Sequence, residues 1–286
     1  MKTLVSQDRL HSSPLRYPGG KQRAIKPITK LLDSRLPINS TIASPFVGGG
    51  SIELALSSKG HRIIASDAFR PVADFWQCLK RDPQALHASV MEFCPPPHLS
   101  KQQFYELQSS LRKAIANEGL PQWRAGHTPS IEIARSFFIL NRSSFSGATL
   151  SGGMGSGDRF TANAINKLLK IDMTGLEVRY GDYWDALFSR GRRRFRFDAI
   201  YADPPYLLPV SKLYGNNGST HDSFGHLLFS ERMNRIAKRD RVPIVISYND
   251  CPGVRGMFPG WHFRPISWAY GMNTSKQSNE ILITNF

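Results

Sequence analysis

Asp203-Pro204-Pro205-Tyr206 combines a carboxylate, two rigid backbone units and an aromatic ring in four consecutive residues. An exocyclic amine such as that of adenine is a poor nucleophile because its lone pair is delocalised into the ring, so an enzyme must accept hydrogen bonds from both amino hydrogens. Asp203 offers one acceptor. The carbonyl of Pro204 is the expected second acceptor, because successive prolines fix the backbone and the direction of its carbonyls. Tyr206 adds a planar face for stacking, although a plain strand-to-loop exit with proline as a stop signal is an alternative.

The residues before this motif predict the element that positions it. Phe197–Ala202 is an apolar, β-rich run that is typical of a buried strand in a parallel sheet. Ligands of open α/β sheets bind outside the carboxyl ends of the strands, which is where the motif lies. Further strands are predicted at Thr41–Pro45, His61–Ser66, Leu176–Asp182 and Pro243–Tyr248, and a terminal β-hairpin at Ile266–Tyr270 and Glu280–Thr284.

The first two predicted strands enclose a glycine turn, Gly48-Gly49-Gly50-Ser51, and a helix at 52–58, and the second strand leads into Asp67. This order indicates a nucleotide-binding βαβ unit. The turn lacks the lysine of a phosphate-binding loop, and Glu53 stands where a dinucleotide motif needs its third glycine. ATP and dinucleotides are therefore disfavoured, whereas an adenosine-bearing ligand without phosphates is compatible. Asp67 either bonds ribose hydroxyls or caps a helix.

Composition favours a polyanionic partner. The 286-residue chain carries 37 Lys and Arg against 22 Asp and Glu, a formal net charge of +15, which favours nucleic acid over an anionic membrane surface. Charge alone does not name the partner, because basic ribosomal proteins share it. Three scattered cysteines, Cys78, Cys94 and Cys251, lack metal-ligand spacing and predict free thiols in a reducing cytoplasm, with no bound metal. No membrane span or signal sequence is predicted.

The middle of the chain differs from the α/β regions on either side, because helical patterns and a glycine- and serine-rich loop dominate it. We predict a catalytic α/β domain formed by residues 1–68 and 179–286, with a mostly helical subdomain inserted between them at residues 69–178. The helical patterns lie around 74–80, 100–118 and 130–141, and the loop lies at 143–157.

Six short motifs follow one another along nearly the whole chain: Arg16–Lys21, Pro45–Ser51, Asp67, Gly181–Tyr183, Asp203–Tyr206 and Ile246–Asp250. In content and order they resemble the Dam-type DNA adenine (N6) methyltransferases. The resemblance implies a Rossmann-like methyltransferase sheet with a terminal β-hairpin, an inserted target-recognition subdomain, and S-adenosylmethionine as the methyl donor. It also favours adenine as the target, because this family has Asp at the first position of the 203–206 motif.

The resemblance further implies a role for individual residues. Two mild departures from the family are Gly48-Gly49-Gly50, where Gly-Ala-Gly is frequent, and Tyr183, where Phe is frequent. Phe46 is equally consistent with a core aromatic. The implied cofactor contacts are Tyr17 and Lys21 near the methionine part, Pro45, Phe46, Gly48 and Gly50 at the turn, Asp67 on the ribose, and Asp182 with Tyr183 at the adenine. Asp203, Pro204, Pro205 and Tyr206 are implied to hold the target base.

The target amine of duplex DNA lies inside the base stack, so the base must be flipped out or met in single-stranded form. The resemblance places DNA contacts in the inserted segment, and a helix end with a solvated loop is the alternative there. The loop after Tyr206 is expected to close over the flipped nucleotide, unless it is a disordered surface loop. The candidates for DNA contact are Asn141, Arg142, Ser144, Phe145 and Arg159 in the insertion, and Lys212 and Tyr214 in the later loop.

One dense basic run, Arg190–Arg196, precedes the strand that leads to Asp203. It is therefore predicted at the opposite end of the sheet, facing solvent or contacting phosphate non-specifically. The leading hypothesis is a monomeric, site-specific DNA adenine methyltransferase. An RNA or protein-amide methyltransferase, a DNA adenine methyltransferase of low specificity and a DNA-binding module without activity are alternatives. The sequence leaves open the recognition site and whether a restriction nuclease is a partner.

Overall fold

The computed structural model describes residues 12–96, 99–116, 127–156, 158–188, 197–207, 224–266 and 280–286. Seven strands form one sheet in the order β3-β2-β1-β4-β5-β7-β6. Six of these strands run in the same direction, and β7, which pairs with β5 and β6, runs in the opposite direction. The α/β class predicted from the sequence is confirmed. The strands are β1 (Thr41–Ser44), β2 (Arg62–Asp67), β3 (Leu176–Tyr180), β4 (Ala199–Ala202), β5 (Ile244–Asn249), β6 (His262–Ile266) and β7 (Glu280–Thr284).

Alternate residues of the central strands bury their side chains on opposite faces of the sheet. Ile42 of β1 and Tyr201 of β4 belong to one hydrophobic cluster, whereas their neighbours Ala43 and Ile200 belong to a second. This is the period of two that a strand imposes on its side chains. Because both faces are covered, the central strands are apolar almost throughout, as is usual for parallel sheets.

Helices on the two faces come from different parts of the chain. Those before β3 contribute side chains to the first hydrophobic cluster, and those after β3 contribute to the second. The first group is α1 (Ile25–Asp33), α2 (Ser51–Ser58), α3 (Arg70–Arg81), α4 (Pro83–Phe93), α5 (Lys101–Ala116), α6 (Ile131–Ser143) and α7 (Ala162–Asn166). The second group is α8 (Tyr183–Leu187), α9 (His226–Asp240) and α10 (Pro252–Met257).

The helices between β2 and β3 pack on one another and on the sheet. Phe75 of α3 stacks on Phe138 of α6, with ring centroids 5.7 Å apart. Both rings belong to the same hydrophobic cluster as Leu176 of β3. The segment 69–178 therefore shares the hydrophobic core on one face of the sheet.

Several elements differ from the sequence prediction, among them helix α4 and the first strand of the terminal hairpin. Helix α4 was missed, although its start carries a clear signal: Asp82 accepts a hydrogen bond from the Ala85 amide at 2.8 Å, and Pro83 opens the helix. The first strand of the terminal hairpin begins at His262, before the predicted start at Ile266, and residues 267–270 of that prediction lie outside the described part of the chain. No helix within the described ranges is long and apolar enough to cross a membrane.

Candidate active site

A cavity of about 680 Å³ lies at the carboxyl ends of the parallel strands. This is the position where open α/β sheets bind ligands. Residues of five of the six sequence motifs line it, although they are far apart in the chain. The lining segments are 17–21, 45–53, 67–71, 180, 182–183 and 203–205, together with residues at the start of α9.

Asp203 follows β4 and lines the cavity beside Pro204 and Pro205, with its side chain 22% exposed. Its Oδ2 atom lies 2.9 Å from the Lys21 ammonium. Its Oδ1 atom is buried and has no hydrogen-bond partner among the described residues. Burial raises the pKa of Asp203, and the adjacent Lys21 lowers it again. One carboxylate oxygen is thus held by a cation, while the other is available to a donor that enters the cavity.

Lys21 links several parts of the site. Its side chain is 4% exposed, and its Nζ atom donates to the Gly19 carbonyl at 2.8 Å. The same atom lies 4.0 Å from Glu280 Oε2 and 5.0 Å from the centre of the Tyr206 ring. Burial raises the pKa of Glu280, whereas Lys21 and a hydrogen bond with Tyr206 lower it. The structure therefore places Lys21 beside the 203–206 motif as well as in the predicted cofactor cavity.

The motif Ile246–Asp250 begins on β5, which pairs with β4, and its residues contact the motif Asp203–Tyr206 and the residue after it. Tyr206 stacks on Tyr248 of β5, with ring centroids 6.1 Å apart and an interplanar angle of 27°. Asn249 holds the backbone of Leu207, because its Oδ1 accepts from the amide and its Nδ2 donates to the carbonyl, each at 2.9 Å. Asn249 thus holds both the amide and the carbonyl of Leu207, the residue that follows Tyr206.

The glycine turn after β1 needs glycine for both conformation and space. Gly48 and Gly50 have φ angles of 43° and 68°, which side-chain-bearing residues rarely adopt. A Cβ atom on Gly48 would lie 2.8 Å from the Tyr17 ring, and one on Gly50 would lie 2.5 Å from the Trp76 ring. Trp76 also donates from Nε1 to the Gly48 carbonyl at 3.0 Å. Pro45 lies at the start of this turn and lines the same cavity.

Asp67 holds the turn from the end of β2. Its Oδ2 accepts a hydrogen bond from the Gly48 amide at 2.9 Å, and its Oδ1 accepts one from the Phe69 amide at 2.8 Å. Burial raises the pKa of Asp67 to about 6, against the effect of these two hydrogen bonds. Asp67 also lines the cavity, so the same side chain can hold the turn and contact a ligand.

Aromatic side chains form another wall. Phe46 stacks on Tyr183, with ring centroids 5.5 Å apart, and both line the cavity while packing into the second hydrophobic cluster. Phe46 is therefore a core aromatic and a cavity residue at once. Asp182 accepts a hydrogen bond from the Trp184 amide at 2.8 Å, which caps α8, and burial raises its pKa. Arg232 of α9 donates to the Tyr183 hydroxyl at 2.9 Å.

Sequence analysis assigned no role to three charged residues at this site: Glu53, Glu280 and Arg232. Glu53 lines the cavity, is 2% exposed and accepts a hydrogen bond from Ser44 Oγ at 2.5 Å. Two sequence features could have drawn attention to these acids: Glu53 lies inside the apolar helical run 52–56, and Glu280 begins an apolar strand. Such acids are expensive to bury without a reason. Arg232 gave no comparable signal, because arginines are common on helix surfaces.

The predicted DNA-contact residues fall into two groups. Asn141 and Ser144 are fully buried. The Asn141 side chain accepts from the Arg16 amide at 2.8 Å and donates to the Arg16 carbonyl at 2.7 Å. In this arrangement Asn141 positions Arg16 instead of presenting its amide to a base edge, which differs from the sequence expectation.

Phe145, Arg142 and Arg159 lie nearer the surface. Phe145 is 73% exposed, Arg159 is exposed and Arg142 is half-buried. Arg142 donates from Nε to the Arg159 carbonyl at 2.9 Å, and burial lowers its pKa to about 10. Lys212, Tyr214 and the run Arg190–Arg196 lie outside the described residues.

The sheet order and the cavity with its glycine turn define a Rossmann-like methyltransferase. The sequence model of the D12 class N6 adenine-specific DNA methyltransferases matches residues 17–272, and the chain belongs to this family. Two relatives from Vibrio cholerae serotype O1, one from a classical and one from an El Tor strain, are described as DNA adenine methylase. Each is 24% identical over 257 residues, which cover 86% of this chain and 84% of the relative. The predicted family and its activity, adenine methylation in DNA, are confirmed.

Proposed function

We propose that the protein transfers the methyl group of S-adenosylmethionine to the exocyclic nitrogen of an adenine that is flipped out of duplex DNA into the cavity. The observation that carries this proposal is the Asp203 carboxylate, whose buried Oδ1 atom has no hydrogen-bond partner among the described residues while Lys21 holds Oδ2. An unpaired buried acceptor is costly, and the donor that would satisfy it is the target amine.

The cavity fits the cofactor. When bound, S-adenosylmethionine supplies a methyl group on a positively charged sulfur. The glycine turn allows close backbone approach, and Asp67 offers acceptor lone pairs for ribose hydroxyls. Phe46 and Tyr183 supply aromatic surface for an adenine ring, with Asp182 beside them. Tyr17, whose ring contacts the turn, and Lys21 line the remaining part, where the methionine group is expected.

The 203–206 motif holds and deprotonates the target amine. Asp203 Oδ1 accepts a hydrogen bond from one amino hydrogen, and the Pro204 carbonyl accepts one from the other. With both hydrogens engaged, the nitrogen lone pair is directed at the methyl group, and alignment supplies most of the rate enhancement. Asp203, whose pKa is raised by burial, takes the proton that the nitrogen loses. Tyr206, braced by Tyr248, provides a stacking face for the base.

DNA contact is proposed for the end of α6 and the loop that follows it, within the inserted segment 69–178. An exposed aromatic ring such as Phe145 can stack on bases, and guanidinium groups such as Arg142 and Arg159 pair with phosphates. Asn141 and Ser144 hold this region in place from the interior. The net charge of +15 supports binding to the phosphate backbone. Lys212 and Tyr214 are retained as contacts to the flipped nucleotide on sequence grounds.

The test is a methylation assay with labelled S-adenosylmethionine and unmethylated duplex DNA, followed by digestion to nucleosides. We expect N6-methyladenine in the digest, and an excess of RNA should not compete with the DNA. Asp203→Ala should abolish turnover and leave DNA binding largely intact. Glu92→Gln, which removes an exposed carboxylate outside the cavity, is the control and should behave as the wild type. Turnover by Asp203→Ala would refute the part given to Asp203, and a digest without methyladenine would refute the function.

A further inference from the structure

Glu53 is a buried carboxyl group that forms no ion pair within the described part of the chain. It belongs to the first turn of α2, lines the cavity and is 2% exposed. Its hydrogen bond comes from the neutral Ser44 hydroxyl, and no Lys, Arg or His of the described residues forms an ion pair with it. Buried charges are normally paired, so Glu53 lacks the partner that its position demands.

The groups that face Glu53 make its charge more costly. Burial raises the pKa of Glu53 to about 7, the Ser44 hydrogen bond opposes this rise, and the carboxyls of Asp203 and Asp67 add to it. Tyr201 of β4, also nearby, stays neutral because burial and the carboxyls of Asp203 and Glu53 raise its pKa far above the ordinary value. Lys21, the one lysine among the described residues that line the cavity, is engaged with Asp203 and Glu280. The described surroundings of Glu53 thus hold more acids than cations.

Asp67 and Asp203 locate Glu53 relative to the proposed ligands. Both carboxyls act on Glu53, which therefore lies within electrostatic reach of the ribose end and of the amine end of the site. In S-adenosylmethionine the charged sulfur joins the ribose to the methyl group that must face the amine. A carboxylate that lines the same cavity as Asp67 and Asp203, within electrostatic reach of both, is placed to meet that charge.

We propose that Glu53 is the counter-charge for the sulfonium of the methyl donor, and that it lets the protein distinguish the charged donor from the neutral thioether left after transfer. This inference rests on the proposed cofactor. Methyl transfer removes the positive charge from sulfur, so ionised Glu53 loses its partner when the reaction is complete. The spent S-adenosylhomocysteine is then held without this interaction, which favours its exchange for fresh donor.

Equilibrium binding without DNA tests the proposal, since no turnover is involved. Dissociation constants for S-adenosylmethionine and S-adenosylhomocysteine are measured by calorimetry at pH 6 and pH 8 for the wild type, Glu53→Gln and the control Glu92→Gln. The two ligands share ribose, adenine, carboxylate and ammonium, so their affinity ratio isolates the sulfonium. In the wild type and in Glu92→Gln, the preference for the donor should rise about tenfold from pH 6 to pH 8, because Glu53 ionises in this range. In Glu53→Gln the ratio should be independent of pH.

A second readout is the proton released on binding, obtained by calorimetry in buffers of different ionisation enthalpy at pH 7. The wild type should release more protons with the donor than with the thioether, and Glu53→Gln should show no difference. A donor preference in Glu53→Gln equal to that of the wild type at pH 8 would overturn the proposal, as would equal weakening of both ligands. Failure of the wild type to bind either ligand would instead refute the proposed cofactor.

Discussion

Replacing Lys21 with Met should move the pH dependence of the reaction to higher pH. Two unit charges 2.9 Å apart attract by about 6 kcal/mol at an effective dielectric constant of 20. Removing one partner of a buried pair costs about 3–5 kcal/mol, and the 22% exposure of Asp203 reduces this. Even about 2 kcal/mol exceeds the 1.4 kcal/mol that corresponds to one pH unit. The acidic limb of the pH–rate profile should therefore move to higher pH by about 1 pH unit or more.

The sign follows from the charge state that the reaction needs. In the proposed mechanism Asp203 acts as an ionised acceptor, so activity is expected above its pKa and is lost as the pH falls through it. Burial raises this pKa and Lys21 lowers it, so without Lys21 the loss begins at a higher pH. The chemical step is measured by single-turnover methylation from pH 5.5 to 9.5 with cofactor and DNA at saturation, which separates it from weakened binding. Lys30→Met, an exposed lysine of α1, is the control. An acidic limb that stays in place in Lys21→Met would refute the reasoning.

Three further outcomes follow from the packing. Gly50→Ala should destabilise the protein by about 1–2 kcal/mol for the left-handed φ alone, and more from the 2.5 Å clash with Trp76; thermal denaturation measures this, and an unchanged midpoint contradicts it. Phe145→Ala should leave stability within about 0.5 kcal/mol but weaken duplex binding in fluorescence anisotropy, because its ring is 73% exposed; unchanged affinity removes it from the DNA interface. Asn141→Ala should cost about 1–3 kcal/mol of stability, since it leaves the Arg16 amide and carbonyl without their partner; denaturant unfolding that matches the wild type would restore Asn141 as a candidate for base contact.

The central strands were predictable because each of them carries a strong local pattern. The apolar run before Asp203 and the run around Val245 both became buried parallel strands, and Asp203, at the end of the first, marked the edge where the cavity lies. Local patterns do not tell which strand ends lie close together in the fold. The order of the motifs along the chain supplied that information. Boundaries were weaker, since His262–Ile266 contains Arg264 and Pro265, which are poor strand formers, and its pairing with β7 decides the register.

The sequence alone could not predict which of the polar side chains are buried. Asn141 and Arg142 are adjacent polar residues at a helix end, and nothing local tells which one faces inward. The structure turns Asn141 towards Arg16, a residue more than 100 positions away, and leaves Arg142 half-buried. Glu53 was read only as a departure from a glycine pattern, because its neutral hydrogen-bond partner and its missing cation are tertiary facts.

The segment Arg16–Lys21 contacts three parts of the chain that are far apart in sequence: α6, the glycine turn and Asp203. At its first residue, Arg16 is held by Asn141 of α6 through the backbone. At its second, the Tyr17 ring packs against the glycine turn. At its last, Lys21 reaches Asp203. A short segment fixed at both ends allows little relative movement of the elements it joins. Since in-line methyl transfer is sensitive to displacements of about 1 Å, this segment ties the geometry of the proposed amine acceptor to that of the glycine turn and of the loop proposed to contact DNA.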